Sequence, residues 1–282
     1  MRVRRISSIG STAAAGAALL LAAGCGGAEM GGGDGGGGGG GGDTITIGVK
    51  YDQPGLGLDE GGKPVGFDVD VATYIAGELG FEPDQIEWTE AASANRETFL
   101  QQGTVDMILA TYSITDERKE LVDFGGPYYV AQQDILVAAD NDDIKGPEDL
   151  DGKVLCSASG SRSANNITED MGIGAELREA GNYSECIELL SNGTVDAVST
   201  DNTILAGFAA QSPDDFKMVN APFGEEKYGV GLPKGDTERC EAVNEAIAKM
   251  WDEDQAVEYL ETAFGETDFA YSEEKPEPEG CS

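Results

Sequence analysis

Four cationic side chains stand out in a chain that has few of them: Lys50, Arg96, Arg118 and Arg162. An arginine offers a planar fork of donors that pairs two-on-two with a carboxylate. Arg118 is well placed for that work, in the first turns of a predicted helix that Thr115 caps and that follows a strand end. Gly160-Ser-Arg-Ser163 opens another predicted helix, where free backbone N–H groups and the helix dipole favour an anion. Asp201 is of the opposite sign and follows a predicted strand at 195–199. A carboxylate in a cleft needs a cationic partner, which a ligand could supply; the same residue is placed to cap the helix expected at 202–210. Catalysis is harder to assemble. The chain has no histidine, so the commonest general base is missing, and no carboxylate dyad stands apart from the groups just named.

The elements that must position these groups alternate between strand and helix. Residues 44–50 alternate apolar and polar and read as a strand, and 66–80 carry a helical stripe of Phe67, Val71, Tyr74, Ile75 and Leu79 ended by glycine. A short strand at 86–88, a helix at 95–102 and a buried strand at 106–110 follow. A second set repeats the design, with strands at 154–157 and 195–199 and helices at 163–170 and 184–190. Such alternation predicts an α/β fold with parallel sheets. Gln102-Gly-Thr-Val-Asp106 and Asn192-Gly-Thr-Val-Asp196 share four residues and the same place between a helix and a buried strand, which argues for two similar lobes. The extended run 127–137 would cross from one lobe to the other, 226–232 would return, and the helices within 237–264 would rejoin the first lobe. The expected division is 44–130 with 229–282 against 131–228. Two crossings make a hinge, and hinged lobes close on ligands.

The first residues read as an export signal. Arg2, Arg4 and Arg5 precede an apolar stretch at 13–23, about half the roughly 20 residues a membrane span needs, so 1–24 is expected to be a signal peptide. It ends Leu21-Ala-Ala-Gly-Cys25, which resembles the lipobox of bacterial lipoproteins, with Ala22 where leucine is favoured. Residues 25–43, with eleven glycines and one aspartate between 31 and 42, are then a flexible tether reaching on the order of 24 Å from a lipidated Cys25. Without the three leader arginines, 15 of the 18 basic residues remain against 53 acidic ones, a net charge of −38. Nucleic acid and anionic lipid surfaces are poor partners for such a body, and a high-salt habitat would suit it.

Four cysteines follow the leader: Cys156, Cys186, Cys240 and Cys281. An even number in an exported chain favours disulfides over a zinc site, for which the spacing offers no CxxC pair and the chain no histidine. Of the three pairings, Cys156–Cys186 with Cys240–Cys281 is favoured; the second would pin the proline-rich tail at 275–281. Paired cysteines would also leave no thiol nucleophile.

Gly66-Phe-Asp-Val-Asp-Val-Ala-Thr-Tyr-Ile-Ala-Gly-Glu-Leu79 resembles, at every constrained position, the signature of bacterial solute-binding proteins for polar amino acids that serve ABC importers. The resemblance continues through Thr111-Tyr-Ser-Ile-Thr-Asp-Glu-Arg118, Asp123-Phe-Gly-Gly-Pro-Tyr128 and Tyr228-Gly-Val-Gly-Leu-Pro-Lys-Gly235, and covers essentially all of 45–265. Gly48-Val-Lys-Tyr-Asp-Gln-Pro54 and Thr200-Asp-Asn-Thr-Ile-Leu-Ala-Gly207 most resemble the glutamate-binding lipoproteins of actinobacteria. It implies a type II periplasmic-binding-protein fold, two lobes hinged by two crossover segments, and a monomer that needs no cofactor or metal. It also implies an importer permease as partner and a place on the outer face of the cell membrane. By the same resemblance Arg118 pairs with the α-carboxylate, Thr111 and Ser113 supply hydroxyl or backbone contacts, and Ser161 closes from the other lobe. Arg162 stands where the family has a small residue or threonine; it adds charge or points outward. Asp201 resembles the ammonium acceptor. Ser93-Ala-Asn-Arg96 resembles the stretch by which glutamate and aspartate binders contact the ligand, and Lys50 replaces an aspartate common in histidine and glutamine binders. Two cations at the side-chain end argue for an acidic amino acid, unless they merely neutralise nearby acids.

Three rival readings stand beside this one. Glutamine, asparagine or another polar amino acid is the alternative ligand. A prephenate or arogenate dehydratase on the same fold is the alternative enzyme, disfavoured by the missing histidine. A sensory ligand-binding module is the third class, and it would have to signal through another protein.

Overall fold

The computed structural model describes residues 44–281. The expected signal peptide 1–24, Cys25 and the tether 25–43 lie outside the described residues. In chain order the strands are β1 (Ile45–Val49), β2 (Asp52–Gln53), β3 (Gly57–Asp59), β4 (Pro64–Val65), β5 (Ile86–Glu90), β6 (Met107–Ile108), β7 (Asp123–Ala138), β8 (Val154–Ala158), β9 (Glu176–Ala180), β10 (Ala197–Asp201), β11 (Phe216–Met218) and β12 (Phe223–Leu232). The helices are α1 (Phe67–Glu78), α2 (Arg96–Gln102), α3 (Asp116–Lys119), α4 (Ser163–Asn165), α5 (Tyr183–Ser191), α6 (Asn202–Gln211), α7 (Thr237–Asp252) and α8 (Gln255–Phe264), joined by several short 3-10 turns.

One nine-stranded sheet runs β5-β1-β6-β12-β7-β10-β8-β9, with β11 beside β7; β2, β3 and β4 form a separate small sheet. The two flanks are parallel, as strand–helix alternation predicts: β5, β1 and β6 on one side, β10, β8 and β9 on the other. The sheet as a whole is mixed, because β7 and β12 are antiparallel to each other and to the flank strand each one meets. These are the two crossing segments, and both are longer than the expected spans. Their main chains pair from Phe223 opposite Gln133 to Leu232 opposite Asp123, interrupted by two register shifts. Phe67, Tyr128, Tyr129 and Tyr228 pack ring against ring on this pair, with centroids 5.5–6.1 Å apart, and all four are buried.

The internal echo is structural. Gly103 and Gly193 both sit at positive φ just past a helix, and the next residue closes each end, Thr104 N–H on the Phe99 carbonyl and Thr194 N–H on the Leu189 carbonyl. Each aspartate then pins the first strand of its flank: Asp106 Oδ2 accepts from Thr46 N at 2.8 Å and Asp196 Oδ2 from Val154 N at 2.7 Å.

One helix differs from expectation. The segment 163–170 is one short α-helical turn followed by a π-helical turn, Asn166–Asp170, which presents the Asn166 amide to Gln133 and Glu226. The run 237–264 holds two helices, as expected, and Asp254, whose φ of 60° ends regular helix, separates α7 from α8. Both favoured disulfides are present, Cys156–Cys186 and Cys240–Cys281. The second ties the tail to α7, and Glu279 on that tail bridges Lys119 and Lys227 at 3.1 and 2.7 Å. Among the described residues no helix is long and apolar enough to cross a membrane.

Candidate functional site

Thr115 Oγ1 accepts from Arg118 N at 3.2 Å, so α3 begins as expected and its third residue turns inward. Arg118 is buried, although its helix carries the acidic Asp116 and Glu117. Its Nη1 donates to the Ser113 carbonyl at 2.7 Å, its Nη2 to the Gly160 carbonyl at 3.2 Å, and its Nε lies 3.4 Å from the Glu97 carboxylate. Arg96, at the start of α2, also reaches Gly160 O at 3.2 Å and donates further to the carbonyls of Ser93, Ala110 and Thr111. Both guanidinium groups lie against the ring of Tyr112, 4.2 and 5.0 Å from its centroid, a favourable contact for a cation out of water. Burial lowers Arg96 to about 10, which leaves it charged at neutral pH.

Gly160 is where the second flank meets these arginines. Its φ is +77°, and a Cβ there would stand 2.5 Å from the main chain of Ala94, so only glycine admits this approach. The turn continues into Ser161, whose hydroxyl lies 2.6 Å from that of Tyr183 and 3.2 Å from that of Ser163. Thr200 Oγ1 is 3.1 Å from the Ser163 hydroxyl. Asp201 ends β10 with its side chain turned away from the helix it precedes: it makes no capping bond to α6 and accepts from the Tyr228 hydroxyl at 2.7 Å. The expected capping role is therefore replaced by a bond to β12. Burial, then the nearby Glu226 charge, raises the Asp201 carboxyl to about 8.

One cavity of about 10 Å³ gathers Ser93, Arg96, Thr111, Ser113, Arg118, Ser161, Arg162 and Asp201. Lys50 is not among its walls. It lies behind Ser93, donating from Nζ to Ser93 Oγ at 2.7 Å, and burial together with the Arg96 charge lowers it to about 7. Arg162 touches the cavity, but its guanidinium pairs outward with Asp170 at 3.1 Å and faces Glu117 at 3.8 Å, a third of the side chain remaining exposed. Thr111 adopts a φ of 45°, uncommon for a β-branched residue. It is held there by Asp68, whose Oδ2 accepts from Thr111 N at 2.8 Å and whose Oδ1 accepts from the Tyr128 hydroxyl at 2.7 Å.

The cavity also has walls that sequence reasoning missed: Ser163, Tyr183, Thr200, Ile204 and Glu226. Ser163 and Thr200 stood inside the motifs already singled out. Glu226 lies within the charged run Glu225-Glu-Lys227, at the start of the segment expected to return between lobes. Cations thus come from one flank and its helices, and carboxylates from β10 and β12. Such a wall suits a small molecule that carries both charges. Among the described residues no cluster of side chains is suited to hold a metal ion.

The chain is similar to several known proteins. The chain is 45% identical over 243 residues to the glutamate-binding protein GluB of Corynebacterium efficiens, covering 82% of both chains. It is 36% identical to the ABC transporter glutamine-binding protein GlnH of Bacillus subtilis, across 74% of this chain and 76% of that one. Among solved structures, an ancestral arginine-binding protein bound to glutamine superposes with a TM-score of 0.73 at 36% identity, covering 79% of this chain and 99% of the other. The cysteine-binding protein of Campylobacter jejuni gives 0.73 at 31% identity, covering 81% and 93%. The profile of one family spans 45–266, the sheet and every residue of the cavity, and the chain belongs to that family, the bacterial extracellular solute-binding proteins, family 3.

Proposed function

We propose that this protein captures a free amino acid with an acidic side chain, glutamate or aspartate, and delivers it to an ABC importer. The single observation that carries the reading is the bipolar cavity, with Arg96 and Arg118 against Asp201. Arg118 would hold the α-carboxylate, displacing the Gly160 carbonyl from its Nη2, with Thr111, Ser113 and Ser161 completing the anion site. Asp201 would take the α-ammonium. Ser93 and Arg96 would face the side chain, and Lys50 would act through Ser93. Names of relatives that specify glutamate and glutamine binding support an amino-acid ligand. Membership in a family of solute-binding proteins answers the dehydratase alternative in favour of a binding protein.

A cavity of about 10 Å³ has room for one water, so an amino acid enters only if the walls separate. Division into lobes at 44–130 with 229–282 and at 131–228, hinged on β7 and β12, supplies that movement. We extend the proposal to an exported monomer anchored through a lipidated Cys25 on the tether 25–43, with 1–24 removed.

Glutamine is the second reading, and one observation favours it: every hydrogen bond of Arg96 goes to a backbone carbonyl, leaving less of its charge for a ligand. Calorimetric titration of the mature chain with glutamate, aspartate, glutamine, asparagine, histidine and arginine decides between them. Tightest binding of glutamate or aspartate is expected. Tightest binding of glutamine selects the second reading, and tightest binding of a cationic amino acid sinks both. Arg118→Ala should weaken every ligand about 10-fold or more, the loss of a charge-assisted bond. Lys50→Ala and Arg96→Ala should instead narrow the gap between glutamate and glutamine; equal weakening of both ligands removes those residues from side-chain reading.

A further inference from the structure

Asp201 does not face the cavity alone. β7 lies between β10 and β12, and in its ladders Asp201 stands opposite Gln133 while Glu226 stands opposite Ala131. Positions 131 and 133 share one face of β7, since side chains alternate along a strand. Directly paired residues project to the same side of a sheet. Asp201 and Glu226 therefore rise from the same face on either side of β7, and both line the cavity. Main chains two strands apart are about 10 Å from each other. That span fits an aspartate, a hydrogen-bonded ammonium group and a glutamate in line.

Each carboxylate is half engaged. Asp201 Oδ2 accepts from Tyr228 at 2.7 Å, and Glu226 Oε1 accepts from Asn166 Nδ2 at 2.9 Å. Asn166 is itself fixed by Gln133 Oε1 at 3.0 Å, so Glu226 is steered rather than free to swing. Both residues are buried. Two buried carboxylates on one wall call for a donor of charge, and a primary ammonium offers three N–H donors where the corresponding hydroxyl offers one.

We propose that Glu226 is a specificity-determining residue: with Asp201 it forms a two-carboxylate receptor for the ligand's α-ammonium, selecting amino acids over the matching hydroxy acids. This rests on the amino-acid reading of the cavity. It also ties recognition to movement, because Glu226 lies on a crossing strand and Asp201 on a flank.

The test compares L-glutamate with L-2-hydroxyglutarate, identical except at the α-substituent, on the mature wild-type chain, Glu226→Gln and Asp201→Asn. Glutamine at 226 keeps an oxygen for Asn166, and circular dichroism confirms folding. Weak binding of the hydroxy acid is read by competition against glutamate. Glu226→Gln should weaken glutamate about 10- to 100-fold. The hydroxy acid should stay within about twofold, so that the preference collapses as it does in Asp201→Asn. Unchanged glutamate affinity, or equal weakening of both ligands, overturns the proposal. A wild type that prefers glutamine overturns only the acidic-ligand reading, and the same comparison then runs with glutamine and its 2-hydroxy counterpart. A wild type that binds no amino acid overturns both.

Discussion

Burial, with the Glu226 charge beside it, raises the Asp201 carboxyl from an ordinary 3.8 to about 8, so folding opposes the ionised form that an ammonium ligand needs. A carboxyl raised in the folded state costs nothing below its unfolded value, costs more as pH climbs from 3.8 towards 8, and costs a constant amount above that. Asp201→Asn keeps an oxygen for Tyr228 and removes the charge. Its ligand-free melting temperature should therefore match wild type near pH 4 and exceed it increasingly up to pH 8, while amino-acid affinity is lost. Thermal melts of both proteins across that range check the trend; a constant offset would mean that Asp201 is not buried as a charge. The residues open to sequence reading were those whose type is rare or whose motif is long. Arg118 is legible because cations are scarce here, and Asp201 because it follows a strand end within a recognisable motif. Lys50 stands one layer behind the cavity wall, and no local pattern shows that Ser93 lies between. Glu226 is harder to see, because its hydrogen-bond partner, Asn166, is distant in sequence.

At the scale of elements, the repeated Gly-Thr-Val-Asp does the same job twice. A glycine at positive φ ends the helix, a buried valine follows, and an aspartate fastens the start of the parallel strand beside it. Thr46 and Val154 sit at strand starts, where their N–H groups would otherwise look to water. Asp106→Ala and Asp196→Ala should each lower unfolding free energy by about 1 kcal/mol. Asp106→Ala should be the larger, because that bond is better buried and Arg239 also contacts the Asp106 side chain at 3.5 Å. Urea unfolding of the two variants tests the pair, and no loss in either would show the aspartates to be merely solvated. This symmetry was visible in the sequence because it is carried by four contiguous residues. The mixed character of the sheet was not. Strand–helix alternation describes the flanks, whereas the direction of β7 and β12 follows from which edge each flank leaves open. The end of the 163–170 helix was equally hidden, since its π-helical turn brings Asn166 to side chains on β7 and β12.

For the molecule as a whole, the two flanks touch at a few polar points and, besides Gly160 against Ala94, at one steric one. Asp52 accepts from Tyr183 N at 3.0 Å and Ser184 N at 3.4 Å, at the start of α5. Arg96 and Arg118 share the Gly160 carbonyl. The steric point is Gly207 on α6, where an added Cβ would stand 2.0 Å from the Pro54 carbonyl oxygen and 2.9 Å from its carbon. Those are backbone atoms and cannot rotate away, so Gly207→Ala acts as a wedge between α6 and the turn after β2. Within α6 itself the change is favourable, since alanine exceeds glycine in helix propensity by about 1 kcal/mol. The variant should then fold with a melting temperature at or above wild type, yet bind amino acids more weakly because the approach of the flanks is blocked. Small-angle scattering should show a larger radius of gyration and no contraction when ligand is added. Wild-type affinity with normal contraction would mean that the Pro54 turn yields locally, and that the contact plays no part in closure.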